Sequence, residues 1–347
     1  MLFLTTDHLK RIVMLMKILL TGLTGFTGNA VAYAMADNGY EVIGLACVDV
    51  NDSVINTISQ FYKGELNDTA LIGQIFEEHS DIDFVVHSSE RVSISASVRH
   101  PYEFYKENLV KSMEFFKRLS ELGVKKIILN SSGSIYDVVP GYMVTEESPM
   151  QPRSPFARSK HMTELMLKDF CNAYDMRCIS LRCFNSIGAD PNARFGSETQ
   201  NPSCIIHKLL DVSEERDAVF RIAGSDWATR DGTCIRDYVH IWDVANAFIS
   251  AVKNFDSAFE KYQDGDAKYL PINIASGTGV TVKELIFAFE NITGERLNIG
   301  YDVPRAGDIA GSYANIRRAK DLLDWEANLN IEEAILDTLR WADSRKY

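Results

Sequence analysis

Glycine recurs at every third position of the segment Gly22–Gly28, and this spacing constrains the fold more than any other feature of the chain. The segment follows the apolar run Lys17–Thr21, which is typical of a strand, and residues 26–38 have the apolar spacing of a helix. Glycines between a strand and a helix let the main chain approach a pyrophosphate and present helix N-terminal amides to it. A merely structural turn is the alternative. The residues predicted to contact a dinucleotide here are Gly22, Gly25, Phe26, Thr27 and Gly28.

Strands and helices continue to alternate through the first half of the chain. Ser154 as N-cap and Pro155 in the first turn mark the start of one long helix. Continuous apolar strands joined by helices indicate a parallel sheet covered on both faces, so we predict an α/β fold with a Rossmann-type doubly wound parallel sheet. The further predicted strands are 41–45, 83–87, 126–129 and 178–182, and the long predicted helices are 102–122 and 155–174.

After about residue 184 the regular alternation loosens, although helical patterns recur near 243–254, 281–293 and 331–343. We therefore expect a smaller mixed α/β substrate-binding part at the carboxyl ends of the strands, where open sheets bind their ligands. The predicted division is a leader at 1–16 outside the fold, a cofactor-binding domain at 17–183 and a substrate-binding domain at 184–347, with some chain crossing between the two domains.

Charge and cysteine usage exclude several classes of protein. The formal net charge of −12 argues against a nucleic-acid partner or an anionic membrane surface. No apolar run approaches the ~18 residues that a membrane-spanning helix needs. The six cysteines form no C-x-x-C pair, and the seven histidines show no metal-binding spacing. We expect no metal site, and a reducing, cytoplasmic location.

The position at which such a fold usually binds the adenosine ribose lacks its usual carboxylate. An acidic side chain usually ends the second strand of such a fold. Ala46 occupies that position here, and Asp49 is the nearest carboxylate. Because no arginine or lysine follows Ala46 directly to bind a 2′-phosphate, the sequence favours NAD over NADP.

A candidate catalytic pair lacks its most important atom. Lys160 follows Phe156 by one helical turn, so both side chains project from one face. A tyrosine at the first position would be a general base, because the ammonium stabilises the phenolate and lowers its pKa. Phenylalanine keeps the ring but has no proton acceptor. The hydroxyls of Ser131 and Ser132, at the end of a predicted strand, could bind a substrate oxygen or could form a simple turn.

Taken together, these motifs resemble the extended short-chain dehydrogenase/reductase family, and within it the UDP-glucose 4-epimerase group. The segment Ser154–Lys160 reads S-P-F-A-R-S-K where the family has S-P-Y-x-x-S-K. The other matching segments are the glycine turn, Ser131–Tyr136, Leu181–Asn185, Arg236–His240 and Pro304–Asp308. The resemblance extends from about Lys17 to the C-terminal helix.

The resemblance implies a role for each matched position. It implies that NAD oxidises a sugar C4 hydroxyl to a 4-keto intermediate and then returns the hydride to the other face. Ser132 would bind the C4 oxygen and Lys160 the nicotinamide ribose. The remaining implied cofactor contacts are Asp49, Glu65, Leu66, Ser88 and Asn108, and the implied UDP-sugar contacts are Asn185, Ser203, Arg236, Arg305, Asp308 and Ser312. Helices 102–122 and 155–174 would form a homodimer interface.

Several positions depart from the family pattern. Besides Phe156 and Ala46, the segment Ser88–Glu90 replaces a small A-A-G stretch, and Glu107 stands where an asparagine is common. We therefore expect a C4 epimerase of a UDP-hexose or UDP-N-acetylhexosamine that is impaired by Phe156. A related dehydratase or decarboxylase is one alternative, although Gly133 and Ser134 supply no carboxylate for a dehydratase. A non-catalytic protein that binds NAD or a nucleotide sugar is the other.

Overall fold

A computed structural model describes residues 16–197, 204–215, 217–262 and 266–345. Apart from Met16, the predicted leader at 1–16 lies outside the described residues, as does Ser203.

The described strands and helices are numbered here in chain order. The strands are β1 (Lys17–Thr21), β2 (Glu41–Ala46), β3 (Gln60–Lys63), β4 (Ile82–His87), β5 (Lys126–Ser132), β6 (Met143–Val144), β7 (Arg177–Cys183), β8 (Asn185–Ile187), β9 (Phe220–Ala223), β10 (Ile235–His240), β11 (Tyr269–Ile274), β12 (Gly279–Thr281), β13 (Ile299–Asp302) and β14 (Tyr313–Ala314). The helices are α1 (Phe26–Asp37), α2 (Asp52–Ile55), α3 (Thr69–Glu78), α4 (Ile94–Arg99), α5 (Pro101–Tyr105), α6 (Lys111–Glu121), α7 (Pro155–Tyr174), α8 (Ile205–Glu214), α9 (Ile241–Lys253), α10 (Phe255–Lys261), α11 (Val282–Thr293), α12 (Arg317–Leu323) and α13 (Ile331–Ser344).

The main sheet has seven parallel strands in the order β3-β2-β1-β4-β5-β7-β11. Apolar side chains of α1, α9, α10 and α12 pack on one face, and those of α3, α6 and α7 pack on the other. This arrangement confirms the predicted doubly wound sheet. The strand order reverses between β1 and β4, so a crevice opens there at the carboxyl ends of the strands.

The smaller part is mixed, as the sequence predicts. It contains the three-stranded sheet β12-β10-β8 and the pairs β9–β13 and β6–β14. Helices α8, α11 and α13 enclose its separate apolar cluster. Strand β11 lies beyond residue 184 but completes the main sheet, so the chain crosses between the two predicted domains.

One predicted helix and one predicted strand differ from the observed elements in their bounds or regularity. The helix expected at 102–122 is divided into α5, a π-helical turn at Lys106–Val110 and α6. The turn contains Asn108, whose buried amide bonds to the main chain of Arg91. The irregular turn therefore occurs where a helix side chain is held by a loop outside the helix. Strand β5 continues three residues beyond the predicted 126–129, because Ser132 still pairs with Cys183 of β7.

Within the described ranges, none of the helices combines the length and the apolar character that a membrane-spanning segment needs.

Candidate active site

A cleft of about 1350 Å³ runs from the glycine turn after β1, past the end of β5, to strand β10 and the loop before β14. Its glycine end is built by close main-chain contacts. Gly22 has φ 82°, and a Cβ there would lie 2.5 Å from the main chain of Ser88 and Ser89. A Cβ at Gly28 would lie 2.0 Å from the carbonyl oxygen of Gly22. Helix α1 begins without a side-chain cap, which leaves its first amides to a ligand.

The end of the cleft beside β2 contains some of the residues that the sequence predicts to bind the adenosine. Ala46, Glu65 and Leu66 line it. Asp49 is not among the lining residues, because the chain has left β2 and its exposed carboxylate pairs with Lys63 at 2.7 Å. The structure therefore does not bring Asp49 into the cleft, and its contact with the ribose stays a prediction.

Lys111 is a lining residue that the sequence reasoning missed. Its buried ammonium lies 2.7 Å from a carboxylate oxygen of Glu65 and 2.6 Å from one of Glu107. The position of Glu107 four residues earlier is a recognisable helical ion-pair spacing, but the contact with Glu65 depends on tertiary structure. The positive charge of Lys111 is thus shared between two carboxylates.

Asn108 and Ser88 have different positions relative to the cleft. Ser88 lines the cleft, and its hydroxyl accepts a hydrogen bond from the Asn130 amide at 3.2 Å. Asn108 is buried outside the lining, where its amide bonds to the main chain of Arg91 and to the Ser159 hydroxyl. The structure thus gives Asn108 a supporting position, holding the loop after β4 against α7.

Helix α7 positions the incomplete catalytic pair. The Ser154 hydroxyl accepts the amide of Ala157 at 3.1 Å and so starts the helix where the sequence predicts. Phe156 is 6% exposed and lines the cleft. Lys160 lies one turn later, behind the cleft wall, and donates to the main-chain oxygen of Asn130. Its Nζ atom is also 2.8 Å from Oε2 of Glu90.

Glu90 is a further site residue that the motif comparison did not identify as functional. It lines the cleft, and its Oε1 accepts a hydrogen bond from the Asn130 amide at 3.0 Å. The replacement of a small residue by glutamate at this position was visible in the sequence. Its contact with Lys160, 70 positions later, was not predictable from spacing.

The two serines at the end of β5 have different positions. Ser131 donates to the carboxylate of Glu164, so its hydroxyl belongs to a buried network. Ser132 lines the cleft, and its Oγ lies 2.9 Å from Oγ of Ser134. The second serine therefore has the position from which a hydroxyl can contact a ligand.

The far end of the cleft is rich in basic side chains. Arg236 lines it and donates to the main-chain oxygens of Ile235 and Ile309. Lys208 of α8 was missed by the motifs; burial, and then the nearby Arg305, lower its pKa. The basic lining residues of the whole cleft are Arg91, Arg99, Lys111, Arg153, Lys208, Arg221, Arg236 and Arg305, and the acidic ones are Glu65, Glu90, Glu107 and Asp308. This excess of positive charge in a chain of net charge −12 favours an anionic ligand.

The other predicted substrate residues lie at the same end. Asn185 and Asp308 line the cleft, as does Ser312, whereas the predicted contact Ser203 lies outside the described residues. Tyr313 is not among the lining residues, and its ring occupies the space beside Gly279. Ser312 rather than its neighbour therefore shapes this part of the cleft.

Comparisons with known proteins agree with this geometry. The model of the NAD dependent epimerase/dehydratase family matches residues 18–264. The UDP-glucose 4-epimerase of Bacillus subtilis (strain 168) is 30% identical over 339 residues, which cover 95% of this chain and 97% of that protein. The UDP-glucose 4-epimerase of Halalkalibacterium halodurans is 32% identical and covers 90% of each chain.

Solved structures give the same picture. The UDP-glucose 4-epimerase from Bifidobacterium longum in complex with NAD+ and UDP is 27% identical, with a TM-score of 0.86 over 95% of this chain and 99% of that chain. The enzyme from Stenotrophomonas maltophila, with bound NAD and formylated UDP-arabinopyranose, has the same TM-score and identity over 96% of this chain and 100% of that one.

Proposed function

The chain belongs to the NAD-dependent epimerase/dehydratase family, and from this membership we propose that it inverts C4 of a UDP-hexose through a 4-keto intermediate. Its cofactor is NAD. The observation that carries the proposal is one cleft that joins the glycine turn, Phe156 of α7 and the basic far end. Incubating the chain with NAD and UDP-galactose and following UDP-glucose by chromatography tests the reaction. We expect slow conversion.

The described residues fit a dinucleotide. Side chains at Gly22 and Gly28 would fill the space in which the turn packs, and the uncapped α1 N-terminus can accept a pyrophosphate. Lys160 would hold the nicotinamide ribose once it turned away from Glu90. When bound, NAD supplies the acceptor for the C4 hydride and returns it.

The chain's own residues position the sugar and control its proton. Ser132 would bind the C4 oxygen, while Arg236 and Arg305 would neutralise the diphosphate. Phe156 stands where a proton acceptor is needed, and the loss of a positioned base typically lowers a rate by about 10²–10⁴-fold. The proposed enzyme therefore binds its substrate well and turns it over slowly.

We expect the nucleotide released from the purified, denatured chain to be NAD rather than NADP. Ala46 ends β2 beside Lys63 of β3, but Lys63 is paired with Asp49. Lys111, which lines this end, is already paired with Glu65 and Glu107. A 2′-phosphate would add negative charge beside these carboxylates. Chromatography of the released nucleotide checks the expectation. Recovery of NADP, or no affinity for either dinucleotide, would contradict it.

The breadth of substrates is proposed to depend on Ser312. Its small side chain leaves room in the cleft for an N-acetyl group at the sugar C2. Ser312→Tyr should weaken the binding of UDP-N-acetylglucosamine at least about 10-fold more than that of UDP-glucose, because the tyrosine ring would overlap the N-acetyl group. A difference of about 1.4 kcal/mol in binding free energy changes affinity tenfold. Calorimetry with both ligands measures the difference. Equal weakening of both, or of neither, would show that position 312 does not select the sugar.

A homodimer and a cytoplasmic location complete the proposal. Exposed apolar side chains spaced three apart occur in the π-helical turn and α6 and again on α7, namely Val110, Met113, Met162 and Leu165. These two segments are the proposed interface, and a monomer in sedimentation velocity would refute it. The six cysteines are unpaired, which supports a reducing compartment.

A binding protein without turnover is the second candidate. It is favoured by Phe156 and by the engagement of Lys160 with Glu90. Restoring the missing hydroxyl distinguishes it from an epimerase, because only an epimerase gains a reaction.

A further inference from the structure

We propose that Glu90 accepts the proton of the sugar C4 hydroxyl in place of the phenol oxygen that Phe156 lacks. This inference rests on the proposed epimerase function and assigns a catalytic residue to it. It differs from the motif-based mechanism, in which the residue at position 156 performs this step.

Three elements bring Glu90 to the reacting end of the cleft. It lies three residues after the end of β4, in a segment whose main chain packs against Gly22. Asn130 reaches it from β5, two residues before Ser132, and Lys160 reaches it from α7, one turn after Phe156. The carboxylate is thus held among the side chains that would surround the sugar C4 and the nicotinamide ribose.

The Glu90 carboxylate can accept a further hydrogen bond. Its Oε1 accepts from Asn130, whereas its Oε2 is buried and makes no hydrogen bond within the described residues. Lys160 Nζ lies 2.8 Å from Oε2 and forms an ion pair with it. Asn130 Oδ1 is a second buried acceptor without a donor in the same part of the chain. The Glu90 side chain is 14% exposed at the cleft, and a ligand hydroxyl would take the place of Lys160 at Oε2 once Lys160 turned toward the nicotinamide ribose.

The other titratable groups nearby are poor substitutes. Burial, and then the Lys160 charge, lower the pKa of His87 to about 3, and both its ring nitrogens are engaged by Thr21 and Ser112 away from the cleft lining. Burial raises the pKa of the Cys183 thiol, with Glu90 as the next cause.

Tyr136 is also a poor candidate. Burial raises the pKa of its phenol, which donates to Asn273 and accepts from Arg182. Among these groups, Glu90 is the carboxylate that lines this part of the cleft within the described residues. It is therefore the group best placed to accept the proton.

The proposed step balances. The O–H bond of the C4 hydroxyl breaks and its proton passes to the Glu90 carboxylate, while the C4–H bond breaks and its hydride passes to NAD. A C4=O double bond forms. Return of the hydride to the opposite face and of the proton from Glu90 to the oxygen regenerates all groups, so no further oxidant is required.

The test compares kcat for UDP-galactose conversion, and its pH profile, in the chain, Glu90→Gln, Phe156→Tyr and the double variant. Glu90→Gln should lower kcat by about 100-fold in the chain and remove the acidic limb of the profile, since glutamine cannot accept the proton. In the Phe156→Tyr background the same change should alter kcat by no more than about 2-fold, because the tyrosine then accepts the proton; this non-additivity is expected only of groups that share one role. Glu90→Asp, which keeps a carboxylate, should keep the limb.

Bound NAD per chain and UDP affinity by calorimetry show whether each variant still assembles its site. Glu290→Gln is the matched control, because Glu290 is also ion-paired and 11% exposed but does not line the cleft. An equal loss of kcat in both backgrounds would mean that Glu90 only positions Lys160. A higher kcat in Glu90→Gln would mean that Glu90 holds Lys160 away from its working position. If only the variants that carry Phe156→Tyr convert substrate, the inference is wrong and the proposed function stands. If no variant converts it, the proposed function itself fails.

Discussion

Phe156→Tyr is expected to raise the interconversion of UDP-glucose and UDP-galactose by about 100-fold or more. The substitution adds one oxygen to a ring that already lines the cleft and leaves the rest of the side chain in place. Lys160 lies one helical turn away, so its ammonium can stabilise the phenolate. A positioned acid–base group typically contributes about 10²–10⁴-fold. Steady-state conversion with NAD measures the gain, and UDP affinity should change little.

Phe170→Tyr provides the matched control for this gain. Phe170 lies on the same helix but is partly buried away from the cleft, where it packs against the core and against Tyr174. The control should leave the rate of conversion unchanged. If the Phe156→Tyr variant converts neither the plain hexoses nor their N-acetyl forms, the epimerase proposal fails and the binding protein becomes the better account.

Glu164→Gln is expected to lower the free energy of unfolding by about 3–5 kcal/mol. The Glu164 carboxylate is 4% exposed and lies 2.7 Å from Nη2 of Arg182, which is itself 3% exposed. It also accepts hydrogen bonds from Ser131 and Ser180. Glutamine keeps the shape but leaves the arginine charge buried without compensation, which is the costly way to break a buried pair. Urea denaturation followed by circular dichroism measures the change.

The comparison variant for this effect is Glu121→Gln. Glu121 pairs with Lys117 at 2.9 Å on an exposed face of α6, where an ion pair contributes only about 0–1 kcal/mol. A loss for Glu164→Gln no larger than that for Glu121→Gln would mean that Arg182 finds other partners, and the buried network would then not be essential for stability.

Local signals made much of the architecture predictable. The glycine turn and the α7 start each depend on residues within a few positions of one another, and backbone sterics or capping determine their geometry. The face shared by Phe156 and Lys160 follows from helical spacing alone. The basic residues at the far end of the cleft were identified only where they stood in a family motif, so Arg236 was predicted and Lys208 was missed.

The remaining features depend on where distant loops meet. The loop after β2 directs Asp49 toward Lys63, and the π-helical turn directs Asn108 toward Arg91, and neither course is encoded in a local pattern. The contact of Glu90 with Lys160 joins the end of β4 to α7 across the sheet edge. Sequence spacing gives no information about such distances. The sequence therefore shows a glutamate in place of a small residue at position 90, but it does not show the contact of Glu90 with Lys160.

The contact between Gly22 and the segment after β4 links two ends of the reaction. The main chain of Ser88 and Ser89 occupies the place where a side chain at position 22 would be, so the two loops pack directly against each other. A substitution that adds a side chain at Gly22 would therefore displace the segment that carries Glu90 as well as the turn itself. The proposed pyrophosphate contact and the placement of this carboxylate thus depend on the same glycine.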